Sequence, residues 1–156
     1  MVFEHDFCIR CNACCMNTEM ILLGEDVERI SRSLGIPADS FAELRGGFLR
    51  LKNINRACAL LERDSGKCLA YNVRPAGCRV YPLIYNDEKG VMLDDDCPLR
   101  NIWLNNPKEL HKGFKELLKI LRKIEVEYGC KVKWAILKSQ LKETIKRKSV
   151  RALKHL

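Results

Sequence analysis

Four cysteines fall within eight positions near the start of the chain, Cys8, Cys11, Cys14 and Cys15, in a C-x2-C-x2-C-C run. Two residues between thiols let a backbone curl around one point, and a metal needs several thiolates within about 2.3 Å of that point. If the segment is one continuous helix, at about 100° per residue Cys8, Cys11 and Cys15 share an arc of ~60°, with Cys14 a further ~60° away. One or two free cysteines read as small buried hydrophobes. Four so close together do not. Five more follow, Cys58, Cys68, Cys78, Cys97 and Cys130, making nine in 156 residues. That is short of the ~8–10% of a disulfide scaffold, and an odd number leaves one unpaired. The N-terminus lacks a basic segment followed by an apolar one, and no apolar run approaches the ~18 residues of a membrane span. The expectation is a cytoplasmic protein with no membrane partner, in a reducing compartment where clustered cysteines bind metal or react rather than cross-link. Disulfides in an exported chain are the competing reading.

A second constellation begins at Cys68 and runs C-x2-Y-x2-R-P-x2-C-R-x-Y-P through Tyr71, Arg74, Pro75, Cys78, Arg79, Tyr81 and Pro82. Pro75 disfavours helix at Arg74, so a turn should carry Cys78 back toward Cys68. Arg74 and Arg79 are placed to offset clustered thiolate charge and so to flank a cofactor; a lone arginine would instead read as a surface ion pair. The tandem C-x2-C-x2-C spacing, with a distant Cys97-Pro98, is similar to the ligand arrangement of a ferredoxin-type [4Fe–4S] cluster. Vicinal Cys15 departs from that pattern. Thiolate chemistry alone leaves zinc open.

With both motifs present in order, the chain resembles the CxxCxxCC cysteine-cluster family, a zinc- or iron-chelating domain to which YkgJ-like proteins belong. The resemblance spans about Cys8 to Cys97. It implies metal or iron–sulfur binding and carries no established reaction for the small members. It assigns ligand roles to Cys8, Cys11, Cys14, Cys15, Cys68 and Cys78, with Cys58 and Cys97 as additions. Cys130 falls outside it. A larger relative, the flagellin lysine methylase, has a similar cluster, but this sequence shows neither a radical-SAM C-x3-C-x2-C triplet nor a nucleotide-binding glycine loop, so methylase activity is not carried over. The expected cofactor is an iron–sulfur cluster, [4Fe–4S], with Zn2+ as the alternative. His5, three residues before Cys8, has a weaker claim as a ligand, and Asp94-Asp95-Asp96 reads as a charged turn.

The expected fold class is α+β: a small metal-stapled cysteine module over residues 1–106, followed by a C-terminal helical hairpin over 107–156 packed on it. Leu23, Val27, Ile30 and Leu34 recur at helical spacing, with Gly35 and Pro37 as stops. Ser40 to Glu43 has the form of a capping box and predicts a second short helix ended by Gly46 and Gly47. Asp64-Ser65-Gly66-Lys67 predicts a turn, and Tyr81–Tyr85 with Val91–Leu93 a hairpin, so the middle section reads as one small antiparallel sheet. From Pro107 the series Leu110, Phe114, Leu117, Leu121, Ile124, Tyr128 predicts a long helix ending at Gly129, and Trp134, Leu137, Leu141, Ile145 a second.

Charge is the remaining asymmetry. Residues 1–130 balance 19 basic against 19 acidic side chains, whereas residues 131–156 hold nine basic residues and only Glu143 as an acid, so the net +8 lies there. Lys138, Lys142, Lys146, Arg147, Lys148, Arg151 and Lys154 make an electrostatic footprint for phosphate. This suggests a second reading, a zinc-stapled interaction module with weak, non-specific nucleic-acid binding; a solvated helix face is the plainer meaning. Any other partner, protein or small molecule, is not legible.

Overall fold

The computed structural model describes residues 5–147, with side-chain surroundings for residues 5–143. The architecture is mixed α+β. Backbone packing divides the chain into one compact unit of residues 4–79 and another from Val80 onward.

The first unit opens with a single helical turn, α1 (Cys8–Cys11). Asn12 then adopts a left-handed conformation (φ 58°), and a 3-10 turn follows at Ala13–Cys15. The continuous helix considered for this run therefore does not form: a left-handed residue reverses the chain between the second and third cysteines. Helix α2 (Gly24–Leu34) matches the expected periodicity and ends at Gly35 in the left-handed region.

The second short helix is a correction. Ser40 closes a 3-10 turn (Ala38–Ser40), and residues 42–45 are strand β1 (Ala42–Arg45), paired antiparallel with β2 (Phe48–Leu51). Arg45 pairs with Phe48, leaving Gly46-Gly47 as a two-residue connection with φ of 61° and 81°. Such a connection needs positive φ at both positions, which two glycines adopt without steric cost. The pair that reads as a helix stop is a hairpin turn. Two smaller ribbons follow, β3 (Asn53–Ile54) with β4 (Ala57–Cys58), and β5 (Leu61–Glu62) with β6 (Lys67–Cys68) around the expected turn. The single middle sheet is likewise corrected: strands of two residues, separated by turns, pair only as isolated two-stranded ribbons. Leu22, Ile30, Phe41, Leu51, Cys58, Leu60 and Ala70 form the buried core of this unit, and Cys15, Cys68 and Cys78 pack against it.

The second unit contains the expected hairpin, β7 (Leu83–Asn86) with β8 (Gly90–Leu93). Helix α3 (Ala76–Val80) precedes this hairpin and spans the boundary between the units in sequence; α4 (Arg100–Leu104), which the sequence does not announce, and α5 (Pro107–Tyr128) come after it. The Asn106 side chain caps α5 by accepting the Glu109 N–H, and Gly129 ends it. Helix α6 (Trp134–Arg147) packs on α5 and β8. Glu125 ties the turn between them, accepting hydrogen bonds from Val132 N–H (3.0 Å) and Trp134 Nε1 (2.9 Å). The predicted stripe on α6 buries Leu137, while Ile145 lies outside the described side chains. Among the described residues no helix is long and apolar enough to cross a membrane.

Candidate metal centre

Hydrogen-bonded backbone brings the separate cysteines into one neighbourhood of the first unit. Met16 bridges Ala57, and Asn17 N–H donates to Arg56 O at 2.7 Å, so Cys15 and Cys58, each one residue away, are drawn together. Thr18 and Asn53 fasten the same two segments reciprocally: Thr18 N–H donates to Asn53 Oδ1 (3.1 Å) and Asn53 Nδ2 to Thr18 O (2.9 Å). Cys68 is on the neighbouring ribbon, paired with Leu61. Helix α1 lies beside β6, and the tip of that ribbon comes so close that a Cβ on Gly66 would be 2.8 Å from Asn12 Nδ2. Arg74 is extended, as a residue before proline must be, and α3 begins beyond Pro75 to carry Cys78.

The thiols sense one another electrostatically. Cys15 shares a thiol hydrogen bond with Cys14, and this, burial, and the neighbouring Cys14, Cys58 and Cys68 hold its proton far more tightly than usual. Burial pushes Cys78 well up, with Cys14, Cys58 and Cys68 adding to the effect and Arg74 opposing it. Burial raises Cys58 to about 11, against an opposing hydrogen bond from Leu60 N–H. Cys68 is raised by burial, with Ala70 N–H and the Arg74 charge opposing. Cys8 is raised by burial and by Cys11 and Cys14, with Arg74 again opposing. Thiolates packed this closely repel unless a cation neutralises them, which favours the protonated form of Cys8, Cys15, Cys58, Cys68 and Cys78 in the metal-free protein.

Two features favour the ionised form that a metal requires. Cys58 and Cys68 each accept a backbone N–H from the residue two positions on, Leu60 and Ala70, and such bonds stabilise a thiolate. Arg74, stacked 3.9 Å over the Tyr71 ring, acts on Cys8, Cys68 and Cys78 together. This donor chemistry fits a thiophilic metal. Among the described residues no three His, Cys, Asp or Glu side chains converge closely enough to hold an ion as they stand. The sulfurs share a neighbourhood, and binding must displace their protons and draw them to a point.

The remaining sequence candidates have other surroundings. Cys97 belongs to the second unit, where it is buried and its N–H bonds Asp94 O. Cys130 is part-buried just after α5. Arg79 is exposed on α3. His5 Nδ1 accepts the Phe7 N–H. Asp94 accepts the Asp96 N–H and Asp95 pairs with Arg100 at 3.0 Å, a charged turn as expected. In the basic tail, Lys138 and Lys142 are exposed on α6, and Lys148, Arg151 and Lys154 lie outside the described residues.

Sequence reasoning missed the residues that hold the Cys78 arm in place. Asp26, 1% exposed, accepts hydrogen bonds from Leu23 N–H, Ala76 N–H and Arg29. Arg29 in turn donates to Val73 O and Arg74 O. The available signal was an acid on the apolar stripe of α2, three residues after Leu23 and four before Ile30. Gly77 was missed too: a Cβ there would be 2.2 Å from Met20 Sδ, so a larger residue at the start of α3 requires the Met20 side chain to move.

Comparison with known proteins now bears on this geometry. The family model CxxCxxCC, described as "Putative zinc- or iron-chelating domain", matches residues 7–98, more than half of the chain. The chain belongs to this family. The matched segment contains every cysteine except Cys130. An uncharacterized protein of Methanocaldococcus jannaschii, MJ0661, is 31% identical over 80 residues, covering 48% of this chain and 43% of that protein. The chain thus aligns with less than half the length of that relative. No solved structure matches. As a CxxCxxCC domain, the protein is a metal-binding cysteine-cluster protein.

Proposed function

We propose that the metal is iron, held as an iron–sulfur cluster by thiolates drawn from Cys8, Cys11, Cys14, Cys15, Cys58, Cys68 and Cys78. The observation that carries this reading is the gathering of Cys14, Cys15, Cys58, Cys68 and Cys78 within reach of one another's charge, from segments as far apart as residues 14 and 78. A structural zinc takes four ligands, fewer than the thiols assembled here, and the C-x2-C-x2-C spacing suits a cluster. When bound, the cluster would supply one-electron chemistry, its potential set by net charge, hydrogen bonds to sulfur and exposure. In the chain itself, Leu60 and Ala70 N–H groups stabilise thiolate at Cys58 and Cys68, and Arg74 offsets charge at the rim. The proposed role is redox or modification chemistry in the cytoplasm.

Anaerobic purification, followed by absorption spectroscopy with iron, zinc and acid-labile sulfide analysis, tests this reading. It predicts a brown protein with iron and sulfide in equal amounts, about four of each per chain for a [4Fe–4S] cluster. A colourless protein with near-stoichiometric zinc and no sulfide would replace it with the zinc-stapled module.

A further inference from the structure

Proteins that hold metals control their ligands through groups behind them as well as through the ligands themselves. Here the group behind Cys78 is an ion pair on a different element. Asp26 lies on α2, fully inside the first unit, with its side chain 1% exposed. Its Oδ2 accepts the Leu23 N–H at 3.2 Å, closing the start of its own helix. Its Oδ1 accepts the Ala76 N–H at 3.0 Å, fifty residues on and two before Cys78, and also the Arg29 guanidinium at 2.5 Å. Arg29, one helical turn along, spends its other contacts on the same arm: Nη2 donates to Arg74 O at 3.0 Å and Nε to Val73 O at 3.4 Å.

The pair therefore grips three consecutive non-proline backbone groups, the carbonyls of Val73 and Arg74 and the N–H of Ala76, on the turn that leads into Cys78. Neither side chain touches a thiol. A surface salt bridge would contribute little and would not matter to a distant site, but a buried carboxylate with three donors fixes what it holds. Breaking such a pair leaves a buried polar group unsatisfied.

We propose that Asp26 and Arg29 are positioning residues for the metal centre: they set the place of Cys78 and of Arg74 relative to the thiols of the other segments. The proposal rests on the reading that these thiols bind a metal, and not on which metal. Because the sulfurs must close onto one point when the ion arrives, an arm held in place loses less freedom on binding than one that is loose.

The test uses Co2+ as the probe, added anaerobically to the full metal-free chain and followed by its thiolate-to-cobalt charge-transfer absorption and by competition with a chromophoric chelator. Arg29, a third exposed, is the residue to change first, since its loss threatens folding less than loss of Asp26. Arg29→Gln is expected to weaken Co2+ binding about tenfold or more, within the range for groups behind metal ligands. Its charge-transfer intensity per cobalt should also fall as Cys78 drops out. Arg29→Lys, able to keep one carbonyl and the ion pair, should recover part of both. Ile30→Val on the same helix, which trims the core and leaves the Asp26 and Arg29 hydrogen bonds in place, should keep wild-type affinity and spectrum. Equal affinity and an unchanged spectrum in folded Arg29→Gln would overturn the proposal, as would an equal loss in Ile30→Val. If the wild-type chain itself gives no charge-transfer band, the thiol-site reading fails first and takes the proposal with it. A band without any iron–sulfur cluster in the isolated protein would sink only the choice of iron.

Discussion

Cys58 shows how one buried thiol links stability to the metal. Burial lifts it from 9.0 to about 11, so between those values the folded chain keeps a proton that the unfolded chain has released. Its contribution is fully present below about pH 9 and lost as pH rises through about 11, on the order of 2 kcal/mol. Thermal unfolding of metal-free protein should show this alkaline loss together with that of the other raised thiols, and Cys58→Ala should lessen it; parallel pH curves for the two would contradict the assignment. The same protons oppose metal uptake, so affinity should climb with pH. Among the other thiols, Cys11→Ser and Cys78→Ser are expected to lower metal content and solubility together, and Cys130→Ser to change neither. Metal analysis on the folded variants checks this. At this scale the sequence was informative about donors, because thiols at short spacing advertise their chemistry. For Asp26 it held only an acid on an apolar stripe, and for Arg29 nothing, because their partners at Val73, Arg74 and Ala76 are backbone groups, which leave no mark in a sequence.

Elements met their expectations where periodicity was long and failed where it was short. Helices α2 and α5 were legible because their apolar stripes run over several turns with glycine stops. The 40–47 segment offered only a capping-box pattern, and two glycines mean a helix end or a hairpin turn equally well until their φ values are known. In the cysteine run the spacing left a helix open as one condition, and Asn12 in the left-handed conformation limits it to one turn. Close approach between elements leaves a sharper prediction. Gly77 is helical, so alanine there is conformationally acceptable, and any penalty comes from Met20 Sδ at 2.2 Å. Gly77→Ala should cost about 1 kcal/mol or less, because the flexible Met20 side chain can shift and alanine favours the helix. Adding Met20→Ala should recover part of that loss in denaturant unfolding. Strictly additive losses would show that the two do not press on each other.

Taken whole, the molecule separates its chemistry from its charge. Seven of nine cysteines lie in the unit of residues 4–79, and the net +8 lies beyond residue 130. That asymmetry was readable from residue positions alone, whereas the packing boundary at 79/80 was not, because it falls inside the motif that runs from Cys68 to Pro82. The central claim is that thiols from separate stretches of the chain serve one metal centre. Iodoacetamide labelling followed residue by residue by mass spectrometry, on protein with its metal and after anaerobic chelation, tests it most directly. The account predicts that Cys8, Cys11, Cys14, Cys15, Cys68 and Cys78 label slowly with metal bound and faster once it is removed, while Cys130 labels at one rate throughout. Labelling rates at those six residues that do not change on chelation would contradict it.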